Sequence, residues 1–305
     1  MDRQACSIRS NEIDIAWEVL DMVQVRASMH GAVSIVNAIA TGKGATLGIS
    51  LGVDALVEAT PGRGIIFENK ESNLSARLIR SVIETSVPRV EIEKNKIRIT
   101  VNTQIPSGYG LKSSSAISSV ISLACAKIFK PKATDIDILR DGVLASIKSK
   151  VSITGAFDDA CGCYFGGFAV TDNTNIKIIK MEKAPEDLTA IIFIPKSRKR
   201  GNVKKLKILH NVFSQAWNLA NNSDYWNAMT LNGLATSSIL GSDPRILTDL
   251  MESGALGASV SGNGPSIAAV AKNDKVSLVK KVFSYLDGTV IVSAINNQKA
   301  EAHEV

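Results

Sequence analysis

The chain has few aromatic residues, few cysteines and no long apolar run, and each shortage excludes something. Aromatics make up 5% of its 305 positions, so the core is expected to be built from Ile, Val, Leu and Ala. The four cysteines, Cys6, Cys125, Cys161 and Cys163, are too sparse for a disulfide framework in a chain of this length. Cys161 and Cys163 form a C-x-C pair, but the histidines His30, His210 and His303 are scattered and show no zinc-ligand spacing. The pair is read as small buried thiols on a strand. No apolar stretch is long enough to span a bilayer. The opening string MDRQACSIRSNEIDIAWEVL carries acidic residues where a signal peptide would be apolar. A cytoplasmic protein with no membrane partner is expected.

What is present suits a folded enzyme-sized chain. Apolar residues are 45% and charged residues 21%, the balance of a globular protein. The length allows one large domain or two smaller ones. A net charge of +6 fits a nucleic-acid binder, a protein attracting an anionic small molecule, or simple solubility. No aromatic-rich RNA signature and no zinc-finger spacing support the first, so no nucleic-acid partner is expected. A cationic run gathers Lys196, Arg198, Lys199, Arg200, Lys204, Lys205 and Lys207. It reads either as a solvated face or as a funnel for an anion.

Along the chain, residues 1–22 read as a leader of unknown role, with a short helix at Ile13–Leu20. From Val23 onward, Gly31, Gly42, Gly44 and Gly48 punctuate short apolar runs, suggesting strands and tight turns. A strand–turn–strand pattern follows around Pro61-Gly62, and Ser72–Thr85 reads as a helix. The runs VEIEK and KIRITV, with Asn95 between them, predict a hairpin over Val90–Ile105. Ile117, Val120, Ile121, Ala124 and Ile128 share one helical face. A second helix is predicted over Asp135–Lys148, a strand in CGCYFGGFAV and two more strands in 177–194. Helices are expected within 203–240, 244–252 and 274–286, a glycine-rich strand–turn over 254–271, and a last strand at 288–295. A soft boundary falls near 172–187.

The string that carries chemistry is Pro106-Ser107-Gly108-Tyr109-Gly110-Leu111-Lys112-Ser113-Ser114-Ser115-Ala116. Its glycines allow positive φ and close approach to a ligand. Its serines fall where a helix starts, and free N–H groups and the helix dipole favour an anion there. Lys112 adds a positive charge. The plain alternative is a loop with a serine cap. A Walker loop is excluded, since the pair Gly42-Lys43 is followed by Gly44 and Asn37 stands where the first Walker glycine belongs. The G-x-x-G half of a dinucleotide fingerprint is missing.

This string resembles the second motif of the GHMP kinases, P-x-G-x-G-L-G-S-S-A. Gly257-Ala-Ser-Val-Ser-Gly-Asn-Gly-Pro-Ser266 resembles their third motif, and Ala27–Ile35 weakly resembles the first. Within the superfamily the resemblance is to the archaeal-type shikimate kinases, carried by IVNAIATGKGATLGI at 35–49, SGYGLKSSSA at 107–116 and VSITGAFDDACGCYFGG at 151–167. Most GHMP kinases have Gly at the Lys112 position and Ala at the Ser115 position.

The resemblance implies an α+β, two-domain GHMP kinase-like fold, over 23–175 and 176–305, with nucleotide and acceptor meeting in the cleft between domains. It implies ATP and Mg²⁺ as cofactors and shikimate as acceptor. Homoserine, mevalonate, or a non-catalytic small-molecule binder remain the alternatives. Residues 106–116 with Gly262, Asn263 and Gly264 are expected at the nucleotide, and Ser114 at the magnesium. Related kinases carry a catalytic aspartate in a G-x-x-D-Q turn; Asp158 falls on that Asp and Asp159 on the Gln. Adjacent carboxylates on a turn repel, which raises the pKa of one. Asp158 is expected to orient or deprotonate the acceptor, with Asp159 second. Lys43, in its glycine-flanked turn, is expected to hold the acceptor carboxylate, ahead of Arg198 and Arg200; Asn37 and Thr41 are placed at acceptor hydroxyls. Mevalonate kinase-like members have a magnesium-holding glutamate before the aspartate, where this chain reads Ala145-Ser-Ile-Lys-Ser-Lys150, without an acid.

Overall fold

The computed structural model of the chain describes residues 22–68, 75–199 and 201–305. The leader, the expected helix at Ile13–Leu20, the first residues of the Ser72–Thr85 helix, and Arg200 lie outside the described residues.

Two long strands start the architecture. The strand β1 (Val23–Val36) and the strand β2 (Lys43–Pro61) run 14 and 19 residues and pair antiparallel. They are longer than the short strands expected from their glycines. Early β1 alternates buried and exposed positions, as a one-sided sheet requires, whereas Gly31–Val36 is buried throughout. The next elements are β3 (Gly64–Glu68), α1 (Ala76–Ser86), α2 (Arg89–Lys94), β4 (Asn95–Thr103), α3 (Ser113–Phe129), α4 (Asp135–Lys148), α5 (Phe157–Phe165), β5 (Phe168–Asp172) and β6 (Lys177–Glu182). After β7 (Leu188–Pro195) come α6 (His210–Asn221), α7 (Tyr225–Leu240), α8 (Arg245–Glu252), β8 (Gly257–Val260), β9 (Ile267–Lys272), α9 (Val276–Val282), β10 (Gly288–Ala294) and β11 (Glu301–Glu304).

These strands form two sheets. A seven-stranded sheet runs β11-β1-β2-β4-β3, with β5 and β6 added beside β2; a four-stranded sheet runs β10-β7-β9-β8. Helices α3 and α5 lie on β1 and β2, α1 and α4 pack against α3, and α7 lies on β8 and also touches β1. The strand β1 is therefore held by helices belonging to both sheets. The mixed helix-and-sheet architecture is the expected α+β class. The position 175/176 falls between β5 and β6, two strands of one sheet, and β11 returns to pair with β1. Among the described residues no helix is long and apolar enough to cross a membrane.

Two expected elements differ. The 90–105 hairpin is a helix followed by a strand. The amides of Glu91 and Ile92 donate to the Pro88 carbonyl (2.9 and 3.1 Å), and Asn95 Nδ2 closes the turn on the Glu91 carbonyl at 2.9 Å. The strand β4 then pairs with β2 and β3 instead of folding back on VEIEK. Likewise Cys161 and Cys163 lie in helix α5, not on a strand. Nearly every residue of that nine-residue helix is buried, so its sequence shows no period by which helix and strand could be told apart.

Gly233 sets the spacing between α7 and β8. A Cβ there would stand 2.5 Å from the Ala258 carbonyl oxygen and 2.8 Å from the Ser259 Cα. In an open helix, replacing Gly by Ala would stabilise by about 1 kcal/mol. Here the backbone of the sheet blocks it. Gly233→Ala is predicted to lower stability by roughly 1–3 kcal/mol, the usual cost of overpacking, measured as a fall in urea midpoint; a rise would contradict this packing.

Candidate active site

The phosphate-type loop spans the gap between β4 and α3. Gly108 (φ 85°), Gly110 (φ 82°) and Lys112 (φ 66°) take left-handed backbone at alternate positions. At Gly110 a side chain is impossible, since a Cβ would lie 2.0 Å from the Ser261 carbonyl oxygen. Helix α3 starts at Ser113 without a side-chain cap, and its first backbone bond runs from the Ala116 amide to the Lys112 carbonyl, 2.9 Å. The amides of Ser113, Ser114 and Ser115 lie ahead of that ladder, at the positive end of the dipole.

These serines line a cavity of about 210 Å³, together with Asn37, Gly108, Gly110, Leu111, Lys112, Ser146, residues 151–154, Asp158, Asp159, Gly262 and Asn263. The segments adjoin both sheets: the turn after β1, the loop, α4 and α5 on one side, and the β8–β9 turn on the other.

Hydrogen bonds stitch the β8–β9 turn to the loop. Ser261 Oγ donates to the Gly110 carbonyl (2.9 Å) and Ser266 Oγ to the Tyr109 carbonyl (2.5 Å). The Gly262 amide donates to Ser34 Oγ (2.8 Å), and Asn37 Nδ2 to the Gly262 carbonyl (2.7 Å). Asn37 is anchored in turn, its amide N–H donating to Asn232 Oδ1 at 2.8 Å. Its side chain is thus engaged in holding the turn while it borders the cavity.

The two aspartates sit in the first turn of α5, not on an open turn. Asp158 is 3% exposed. Its Oδ1 accepts from Asn173 Nδ2 at 2.6 Å, and its carboxylate covers Gly44, where a Cβ would be 2.2 Å from Oδ2. Asp159 forms a 2.7 Å ion pair with Lys112 Nζ, which also donates to Ser34 Oγ at 2.6 Å. Burial pushes the Asp158 carboxyl up to about 7, with the Asp159 charge adding to the rise and Lys112 and Asn173 opposing it. The expected repulsion between the neighbours is present, but desolvation is the larger cause. The thiols of Cys161 and Cys163 beside them are pushed up by burial, then by the aspartate charges, which makes them poor nucleophiles.

Several expected site residues lie apart. Lys43 and Thr41 do not line the cavity. Lys43 is exposed, with its ammonium 4.6 Å from the Trp217 ring centroid, and Thr41 Oγ1 folds back onto the backbone of Lys43. Pro106, Ser107, Tyr109, Ala116 and Gly264 support the lining without forming it. Arg198 lies over the Tyr109 ring, 4.9 Å from its centroid, close to Gly108. Reasoning from sequence missed Ser34, Asn173 and Ser146. Ser146 lines the cavity in the acid-free stretch and donates to the Gly142 carbonyl at 2.9 Å. A serine or asparagine in a run of small residues carries no signal of its own. Among the described residues no group of three or more His, Cys, Asp or Glu could hold a metal.

The family model for the GHMP kinases N terminal domain matches residues 74–167, which contain the loop, α3, α4 and α5. A shikimate kinase of Methanosarcina mazei is 37% identical over 281 residues, 90% of this chain and 95% of that protein. A shikimate kinase of Pyrococcus furiosus is 34% identical over 268 residues, 86% of this chain and 96% of its own length. Among solved structures, homoserine kinase from Cytophaga hutchinsonii superposes with a TM-score of 0.69 at 20% identity, covering 93% of this chain and 98% of that one. The mevalonate kinase of Methanococcus jannaschii gives 0.66 at 16% identity, with 92% and 100% covered. At such identities these two show a shared fold.

The raised carboxyl has a consequence for stability. A folded pKa near 7 against an ordinary value of 3.8 means that the folded state binds the extra proton between those values. Stability therefore falls as pH rises through that window. Asp158→Asn removes the buried charge without removing the volume. Its Tm is predicted to exceed that of the parent at pH 8, with the gap closing toward pH 4. A variant less stable than the parent at pH 8 would contradict the burial argument.

Proposed function

Because this chain belongs to the shikimate kinases of the GHMP kinase superfamily, we propose that it transfers the γ-phosphoryl group of ATP to shikimate, giving 3-phosphoshikimate for aromatic amino-acid biosynthesis. The observation that carries the reading is one cavity with two unlike walls. One wall is the serine-rich start of α3, suited to phosphate oxygens. The other is Asp158, a buried carboxyl with a pKa close to neutral, suited to taking a proton.

The roles follow from position. The amides and hydroxyls of Ser113, Ser114 and Ser115 receive the phosphates, with Gly108 and Gly110 allowing close approach and Gly262 and Asn263 closing the far side. Asp158 accepts the proton of the acceptor hydroxyl as that oxygen approaches the γ-phosphorus. Lys112 supplies positive charge beside the phosphates and holds Asp159 in place. Phosphoryl transfer depends mainly on such positioning and charge neutralisation. Mg²⁺ is bound in kinases mostly through one or two protein oxygens and the phosphates themselves. The exposed hydroxyl of Ser114, which lines the cavity, fits that need. The ion would neutralise charge on the transferring group. Arg198, at the cavity's edge over Tyr109, replaces Lys43 as the better-placed cation for an anionic acceptor. The cytoplasm, where ATP is abundant, is the expected location.

The test is a coupled ADP-release assay with shikimate, homoserine and mevalonate. Turnover is predicted with shikimate, at a kcat/KM well above the other two; preference for either of the others would overturn the acceptor assignment. Asp158→Asn is predicted to lower kcat by about 10²–10⁴-fold, the usual weight of general base catalysis, with KM for ATP little changed.

A further inference from the structure

The groups around Asp158 leave one side chain whose placement the reaction has not yet used. Asn173 follows β5 and is 4% exposed. Its amide N–H donates to the Gly42 carbonyl at 2.8 Å, which fixes its backbone. Its side-chain oxygen accepts from two donors, the Asp158 amide at 3.0 Å and Thr171 Oγ1 at 2.7 Å. That settles the orientation of the amide, so Nδ2 must be the end that donates to Asp158 Oδ1, at 2.6 Å. Thr171 is itself fully buried, and its carbonyl accepts from Trp217 Nε1 at 3.2 Å. Asp158 is therefore clasped at two points, backbone and carboxylate, by one rigid asparagine. Neither Asn173 nor Thr171 lines the cavity, so any effect on the reaction passes through Asp158.

An amide N–H is better served by an unprotonated carboxyl oxygen than by one that carries the proton. We propose that Asn173 is the positioning residue of the reaction: it occupies Asp158 Oδ1 and leaves Oδ2 as the oxygen that takes the acceptor's proton. In the step, the acceptor O–H bond breaks and an H–Oδ2 bond forms. The acceptor oxygen bonds to the γ-phosphorus, and the bond from that phosphorus to the bridging oxygen breaks, its electron pair leaving on ADP. The proton on Oδ2 passes to water after the product departs. The inference rests on the reading of Asp158 as the proton acceptor.

The charged and titratable groups facing Asp158 are Asp159, Cys161 and Cys163 on α5 and Lys112 from the phosphate loop. None of them is altered by a change at position 173. The Asn173 hydrogen bond favours the charged carboxylate. Its loss therefore raises the pH needed to ionise the base, and the acidic limb of the rate profile moves upward.

The experiment measures kcat, both KM values, the pH profile of kcat/KM for shikimate, and Tm for Asn173→Ala and Asn173→Asp. Loss of a hydrogen bond to a charged group predicts a fall in kcat of about tenfold or more. The acidic limb should move up by about one pH unit in Asn173→Ala and further in Asn173→Asp, which adds a facing charge. KM for ATP should stay near the parent value. In an Asp158→Asn background, adding Asn173→Ala should cost nothing further. If Asn173→Asp does not fold, Asn173→Ser is read by the same criteria. A folded Asn173→Ala with the parent's kcat and profile overturns the proposal. So does an equal fractional loss with and without Asp158, the pattern of a purely structural role. Full activity of Asp158→Asn alone would instead remove the reading of Asp158 on which the proposal stands.

Discussion

The ion pair between Lys112 and Asp159 organises everything else at the cavity. Lys112 is almost fully buried, and a buried ammonium without a partner costs several kcal/mol or more. The pair offsets that cost and fixes two elements at once, the phosphate loop that carries Lys112 and the helix α5 that carries Asp159. A second partner of the ammonium, Ser34, ties it to β1 and, through the Gly262 amide, to the β8–β9 turn. Segments from both sheets therefore meet around one nitrogen. One positive charge stands beside two adjacent carboxylates, and its geometry favours Asp159. Burial and the neighbouring Asp159 charge outweigh Lys112 and the Asn173 amide at Asp158, so its proton is held more tightly than in an exposed aspartate.

The close approaches in the fold serve that meeting. Gly110 lets the phosphate loop touch the Ser261 carbonyl, and Gly44 leaves room on β2 for the Asp158 carboxylate. Gly233 allows α7 to lie directly on β8, which places Asn232 against both Ser259 and Asn37. A sheet-and-helix frame thus transmits its spacing to the cavity by backbone contact, where a side chain of any size would separate the parts.

Much of this was legible in the sequence, for physical reasons. The glycine and serine pattern of 106–116 encodes its own backbone conformation, and adjacent aspartates between glycines are conspicuous. What escaped was whatever depends on tertiary contact. The run CGCYFGGFAV reads as a strand, yet its first five residues complete helix α5, because burial on nearly every side erases the helical period. The Val90–Ile105 run alternates like a hairpin, yet β4 found better partners in β2 and β3. Lys43 looked like a substrate clamp from its glycine neighbours, but the chain turns it onto Trp217. Asn173 lies 15 residues beyond Asp158 along the chain, and nothing local marks it as that residue's partner.

Burial, opposed by one lysine and one asparagine, holds the proton affinity of Asp158 near neutrality before any substrate binds. A ¹³C NMR titration of the aspartate carboxyl carbons, with Asp158 assigned by its absence in Asp158→Asn, reads this directly. The expected titration midpoint is about 7. A midpoint below about 5, in the range of ordinary aspartates, would contradict it.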